Sequence, residues 1–141
     1  MLAQFAFLFA AVAAVVSGSV LVSQAECARD YTVVGGDTCD AICAKTGTPT
    51  FQLQFVNPDI NEACTNLSVG QVLCLGIVDQ DCTDVHVVQA GDDCIDIAKA
   101  AGISLDTLLA NNPNVNSDCT NIHIGEVLCT ADSVIYNTEH S

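Results

Sequence analysis

The chain has 141 residues and a formal net charge of −14, with 17 acidic residues against only three basic ones (Lys plus Arg), all placed after residue 25. A phosphate backbone or an anionic lipid surface needs clustered Lys and Arg, so nucleic acid and acidic membranes are excluded as partners. Nine cysteines in so short a chain point to a disulfide framework in an oxidising compartment.

Residues 1–25 read as a signal peptide. The run Phe5 to Val16 is almost wholly apolar and no charged side chain precedes Glu26. Ser23, Gln24 and Ala25 place small residues where a signal peptidase reads, which predicts cleavage after Ala25 and a secreted, extracellular product. The rival is an N-terminal anchor, since a span of about 18 apolar residues borders on transmembrane length. The Ser17-Gly18-Ser19 interruption and the cysteine-rich remainder favour secretion.

The block from Cys27 to Cys74, shifted by 55 positions, lies on Cys82 to Cys129 without a gap, with 18 of 48 positions identical. Average composition would give about three by chance. The chain is therefore a duplicated module: module 1 at 26–76, a linker at 77–81, module 2 at 82–131 and a flexible polar tail at 132–141. Two units of roughly 50 residues bury too little apolar surface to be comfortably stable without cross-links.

Each module reads as strand, helix, helix, strand, an α+β fold of two βααβ units in tandem. The first strand is expected at Asp30 to Val34, with its copy at Val85 to Gln89. Gly36 or Gly91 permits a tight turn, and Asp37 or Asp92 is placed to cap the first helix. That helix turns Ile42 or Ile97 inward and ends at Gly47 or Gly102, where a left-handed C-cap is easiest. The second helix opens with Thr48 as cap and Pro49 at its first position, or with Ser104. It carries Leu53 and Phe55, or Leu105, Leu108 and Leu109, on its inner face, while Phe51 is ambiguous. Asn57 before Pro58, and Asn112 before Pro113, stop it. The last strand is expected at Gln71 to Cys74 and Glu126 to Cys129.

Antiparallel pairing of the outer strands suggests Cys27 with Cys74 and Cys82 with Cys129, leaving Cys39 with Cys64 and Cys94 with Cys119. Four cysteines per module allow three connectivities, so the topology carries this choice. Cys43, whose copy is Ala98, is read as a buried free thiol, with an intermolecular bridge as the sharper reading. Asn66-Leu67-Ser68 is an N-glycosylation sequon, whereas Asn121 is followed by Ile122 and His123 and is not.

The stretches YTVVGGDTC at 31–39, NP at 57–58 and CTNLSVGQVLC at 64–74 resemble the landmarks of the LysM domain in its secreted, cysteine-containing fungal form. HVVQAGDDC, NNP and CTNIHIGEVLC match the same places in module 2. Asp93 and His86 depart from the usual Thr and Tyr. The resemblance implies a non-catalytic βααβ lectin, without cofactor, that binds chitin and other N-acetylglucosamine oligomers, sequestering fragments or shielding wall chitin. A dimer, disulfide-linked through the odd Cys43 or bridged by ligand, is a further partner the sequence allows. Carried over by position, the groove sets Gly35, Gly36, Asp37, Thr38 and Cys39 facing Asn57, Pro58, Asp59 and Ile60. In module 2 it sets Ala90, Gly91, Asp92, Asp93 and Cys94 facing Asn112, Pro113, Asn114 and Val115.

N-acetylglucosamine is neutral and wants backbone donors, acceptors and an apolar contact for its methyl, for which Ile60 or Val115 is placed. Asp37, Asp92, Asn57 and Asn112 read as helix caps and stops first, ligand contacts second. An enzyme is the rival class, but no carboxylate pair stands out by setting, and His86, His123 and His140 read as exposed. Cysteines spaced by 12, 25 and 10 do not form zinc knuckles. The alternative is a structural or adhesive wall protein without lectin activity.

Overall fold

A computed structural model describes residues 25–136. The signal peptide expected at 1–25 lies outside them apart from Ala25. The order is β1 (Cys27–Thr32), α1 (Cys39–Thr46), α2 (Thr50–Val56), β2 (Val72–Ile77), β3 (Val85–Val87), α3 (Cys94–Ala101), α4 (Leu105–Asn111) and β4 (Val127–Cys129). Within each module the outer strands pair antiparallel, β1 with β2 and β3 with β4. Disulfides join Cys27 to Cys74, Cys39 to Cys64, Cys82 to Cys129 and Cys94 to Cys119. Cys43 is free and buried.

The first helix of each module is capped one residue later than expected. Thr38 takes the Ala41 N–H at 3.2 Å and Asp93 takes the Asp96 N–H at 2.8 Å. The preceding aspartates turn back on the strand instead. Asp37 accepts from the Tyr31 hydroxyl at 2.7 Å and the Val34 N–H at 2.9 Å. Asp92 meets His86 Nε2 and the Gln89 N–H, both at 2.7 Å. Each aspartate thus locks the glycine turn onto the start of its module. Thr48 is not a cap either: α2 begins at Thr50 with Pro49 before it, and the buried Thr48 hydroxyl lies 2.8 Å from that of Thr46. Ser104 does cap α4, through the Thr107 N–H at 3.1 Å.

Val33, Ile42, Cys43, Leu53, Ile60, Leu73 and Leu75 form the first core, and Val88, Ile97, Ala98, Leu108, Val115 and Leu128 the second. Phe55 is not in the core. It is 58% exposed and stacks on Phe51 at 5.5 Å between centroids. In a seven-residue helix Gln52 and Leu53 take the inward positions, which turns Phe51 and Phe55 onto another face.

The modules pack against each other asymmetrically. The outer face of the β3–β4 sheet carries Val85, Val87 and Val127, which join the first core, and the Val127 N–H donates to Thr50 Oγ1 at 2.9 Å. The copies of those valines are Asp30, Thr32 and Val72; Asp30 and Thr32 are exposed, and Val72 is 63% exposed while Val127 is fully buried. Burying one such valine stabilises by about 1.5–3 kcal/mol. The sheet of module 2 therefore rests on the helices of module 1, and the sheet of module 1 faces solvent.

The linker is held from α2. Gln52 is fully buried; its Nε2 donates to Leu75 O at 2.7 Å and Asp81 Oδ1 at 2.8 Å, and its Oε1 accepts from Cys82 N and the Tyr136 hydroxyl, both at 2.8 Å. Arg29 grips the same carboxylate through Nε at 2.7 Å and Nη2 at 2.8 Å. Burial acts to raise the Asp81 carboxyl, but the bonds from Arg29 and Gln52 outweigh it and leave it below its ordinary value. The segment expected as a flexible tail is packed as far as Tyr136, which is 5% exposed, and Asn111 ties down Ser133 and Ile135. Residues 137–141 lie outside the described part.

Candidate functional site

Strand, turn and helix start bring Thr38 and Cys39 to one side of a cleft, and the loop after α2 brings Glu62, Ala63 and Cys64 to the other. Asp40, Thr50, Gln54 and His123 complete the lining, and the volume is about 310 Å³. A second cleft of about 220 Å³ is lined by Asp93, Cys94, Ile95, Leu105, Ser117, Asp118 and Cys119. Every one of those residues lies 55 positions after a residue lining the first cleft. The duplication has copied a cleft as well as a fold.

The same two features build both copies. The Cys39–Cys64 and Cys94–Cys119 bonds pin the loop to the helix start. Cys64 and Cys119 both hold φ at 55°, a left-handed conformation costing roughly 1–2 kcal/mol for a residue with a β-carbon. Asn61 and Asn66 shape the loop around them: Asn61 Oδ1 accepts the Thr65 N–H at 2.8 Å and Asn66 Nδ2 donates to Asp59 O at 2.7 Å. Asn116 and Asn121 repeat both bonds, at 2.9 and 2.8 Å. The sequon residue Asn66 is exposed, and its role in the loop is shared by a copy that has no sequon.

The residues expected to form the groove divide into those at the cleft and those beside it. Thr38, Cys39, Asp93 and Cys94 line the clefts. Gly35, Gly36, Ala90 and Gly91 form exposed turns, with φ of 86° at Gly36 and 84° at Gly91. Pro58, Asp59, Pro113 and Asn114 are exposed on the loop. Ile60 and Val115 are 7% and 8% exposed and belong to the cores, so an Asp at either position strikes the fold before it strikes a ligand. Asn57 donates to Leu53 O and Cys74 O and accepts from Cys74 N, and Asn112 does the same with Leu108 and Cys129. Their amides tie the second helix to the last strand, with both N–H donors committed to backbone carbonyls. Asp37 is held below the ordinary carboxylate range chiefly by the Val34 N–H, with Tyr31 and Lys45 assisting, and Asp92 chiefly by His86, then by the Gln89 N–H.

Asp40, Thr50, Gln54, Glu62 and Ala63 are not among the residues expected from the sequence, nor are Ile95, Leu105, Ser117 and Asp118. The signal for Asp40, Glu62, Ala63, Ile95, Ser117 and Asp118 is the pairing of Cys39 with Cys64 and of Cys94 with Cys119, which places the residues flanking the cysteines side by side. Thr50, Gln54 and Leu105 come from the second helix or its start and have no such signal. His123 is the one wall of the first cleft that comes from module 2; its Nε2 is 3.0 Å from Asp40 and its Nδ1 3.4 Å from Glu126.

Each cleft mixes polar and apolar surface, the complement of a neutral polyhydroxylated ligand. Two carboxylates line each one, but at different repeat positions: Asp40 and Glu62 in the first, Asp93 and Asp118 in the second. No acid pair is common to the two. Among the described residues no group of three His, Cys, Asp or Glu is placed to hold a metal ion, and no helix is long and apolar enough to cross a membrane.

The family model for the LysM domain matches residues 31–76 and 86–130. The chain is similar to the secreted LysM effector LysM1 of Trichophyton rubrum, 34% identical over 128 residues covering 74% of this chain and 50% of that protein. It is 29% identical over 136 residues to the secreted LysM effector Blys8 of Beauveria bassiana, covering 74% and 34%. With a secreted LysM effector of Pochonia chlamydosporia the identity is 33% over 105 residues, covering 73% and 15%. This chain therefore spans half or less of the length of these relatives.

Proposed function

The chain belongs to the LysM domain family, and from that premise we propose that it is a secreted, non-catalytic lectin for N-acetylglucosamine polymers, chitin above all. The observation that carries this reading is the copied cleft: seven lining positions recur at a spacing of 55, two of them the paired cysteines and the other five varied. The repeat marks where the fold can build a ligand surface, and a mixed polar and apolar lining there suits a neutral sugar. The absence of an acid pair common to both clefts argues for binding without hydrolysis, because glycoside cleavage needs two carboxylates at a set separation. The secreted location is supported by the four disulfides, which persist in oxidising surroundings, and by the printed names of the relatives. Holding chitin fragments or covering wall chitin are the roles such a protein serves.

The test is retention of the oxidised protein on insoluble chitin, with cellulose and peptidoglycan alongside and an assay for released sugar. Retention on chitin without release is the expected outcome. No retention on any of the three polymers removes the lectin reading and leaves a structural wall protein in its place.

A further inference from the structure

The two clefts correspond in position but differ in chemistry, and two of the differences fall on residues where the modules meet. We propose that the cleft of module 2 is the principal sugar site, and that the matching surface of module 1 serves mainly to hold module 2; this rests on the carbohydrate-binding reading above.

At two repeat positions a polar residue of module 1 that touches module 2 is replaced by an apolar one. In module 1 they are Asp40 and Thr50. Asp40 Oδ2 lies 3.0 Å from His123 Nε2, and Thr50 Oγ1 accepts the Val127 N–H at 2.9 Å with only 8% of the residue exposed. Both side chains are engaged by module 2, and His123 stands in the cleft itself. In module 2 the same positions are Ile95 and Leu105, and every residue lining that cleft belongs to module 2.

Ile95 is 65% exposed. An open helix face is ordinarily polar and a covered one apolar. Here the copy that module 2 contacts, Asp40, is the polar one and the more open copy is hydrocarbon, so solvent exposure does not account for Ile95. The acetamido methyl and the C–H face of a pyranose ring want a hydrocarbon wall, while the hydroxyls want polar groups at the rim. Ile95 and Leu105 supply the wall, and Asp93, Ser117 and Asp118 the rim. The ligand class is a neutral N-acetylated hexosamine oligomer. The first cleft offers an engaged carboxylate at the position where the second offers an isoleucine.

The experiment is calorimetric titration of the oxidised protein with the N-acetylglucosamine hexamer, together with Ile95→Asp, which alters cleft 2, and Ala63→Glu, which fills cleft 1. Both replaced residues are exposed, and Asp in the first turn of a helix is favourable there, so circular dichroism should match wild type. The expected result is one hexamer per chain, affinity lowered about tenfold or more by Ile95→Asp, and a change under about twofold for Ala63→Glu. Two equal sites, or loss with Ala63→Glu while Ile95→Asp binds normally, overturns this inference and leaves the lectin reading intact. No binding by wild type overturns both. Wild-type self-association in sedimentation that Ile95→Asp abolishes assigns the apolar face to a second copy of the chain and overturns the inference as well.

Discussion

Cys43 is the cysteine without a copy, and its surroundings decide its chemistry. It is fully buried beside Ile42, and burial pushes its thiol up to about 12, with the Thr50 hydroxyl acting the other way and the Asp40 charge adding to the rise. The thiolate is the reactive form, so at mildly alkaline pH the folded protein should resist iodoacetamide and take up one label only after unfolding in guanidinium without reductant. Labelling of the folded protein at the rate of a free cysteine contradicts this. Single residues also mark where the sequence is ambiguous. Asp37 and Thr38 are both good N-caps, and propensity alone cannot order them. Tyr31 decides, by capturing Asp37 from the strand, as His86 does with Asp92. Phe55 departs from its expected face because a helix of two turns gives periodicity too few points to fix one; its copy, Ala110, carries the better hint.

Among the elements, α2 does more than its seven residues announce. Gln52 binds Leu75, Asp81, Cys82 and Tyr136, so one amide fastens the end of β2, the linker, the start of module 2 and the C-terminal segment. Gly76 leaves room for this network: a Cβ there would run into the Asp81 carboxylate and stand 2.7 Å from Gln52 Nε2, displacing both. Gln52→Ala strips partners from several buried groups at once and should lower unfolding free energy by about 2–4 kcal/mol in urea denaturation. A loss under about 0.5 kcal/mol, the size of an ordinary surface change, contradicts the role given to it. None of this is legible in the sequence. A glutamine in a short helix reads as solvent-facing, and its copy is Thr107, so the repeat offers no guide. The strands, the two helices per module and the glycine C-caps of α1 and α3 are legible, because turn and cap chemistry is local and is written twice.

At the scale of the whole molecule, duplication makes the modules visible and divergence between the copies shows how they pack. Asp30 and Thr32 against Val85 and Val87 is a polar face set against an apolar one, and the apolar copy is buried on module 1. That contrast lies in the sequence, but reading it requires knowing that the sheet's outer face can be covered. The clefts are half legible: Thr38, Cys39, Asp93 and Cys94 line them as expected, while the far wall expected at Asn57 to Ile60 includes side chains, Asn57 and Ile60, that hold the fold together. The most direct measurement is a titration of isotope-labelled protein with the N-acetylglucosamine hexamer, followed by amide chemical shifts. The largest shifts are expected at Asp93, Ile95, Leu105, Ser117 and Asp118. Shifts confined to Gly91 and Asn114 with these five unmoved, or no shifts at all, would contradict a sugar site in the second cleft.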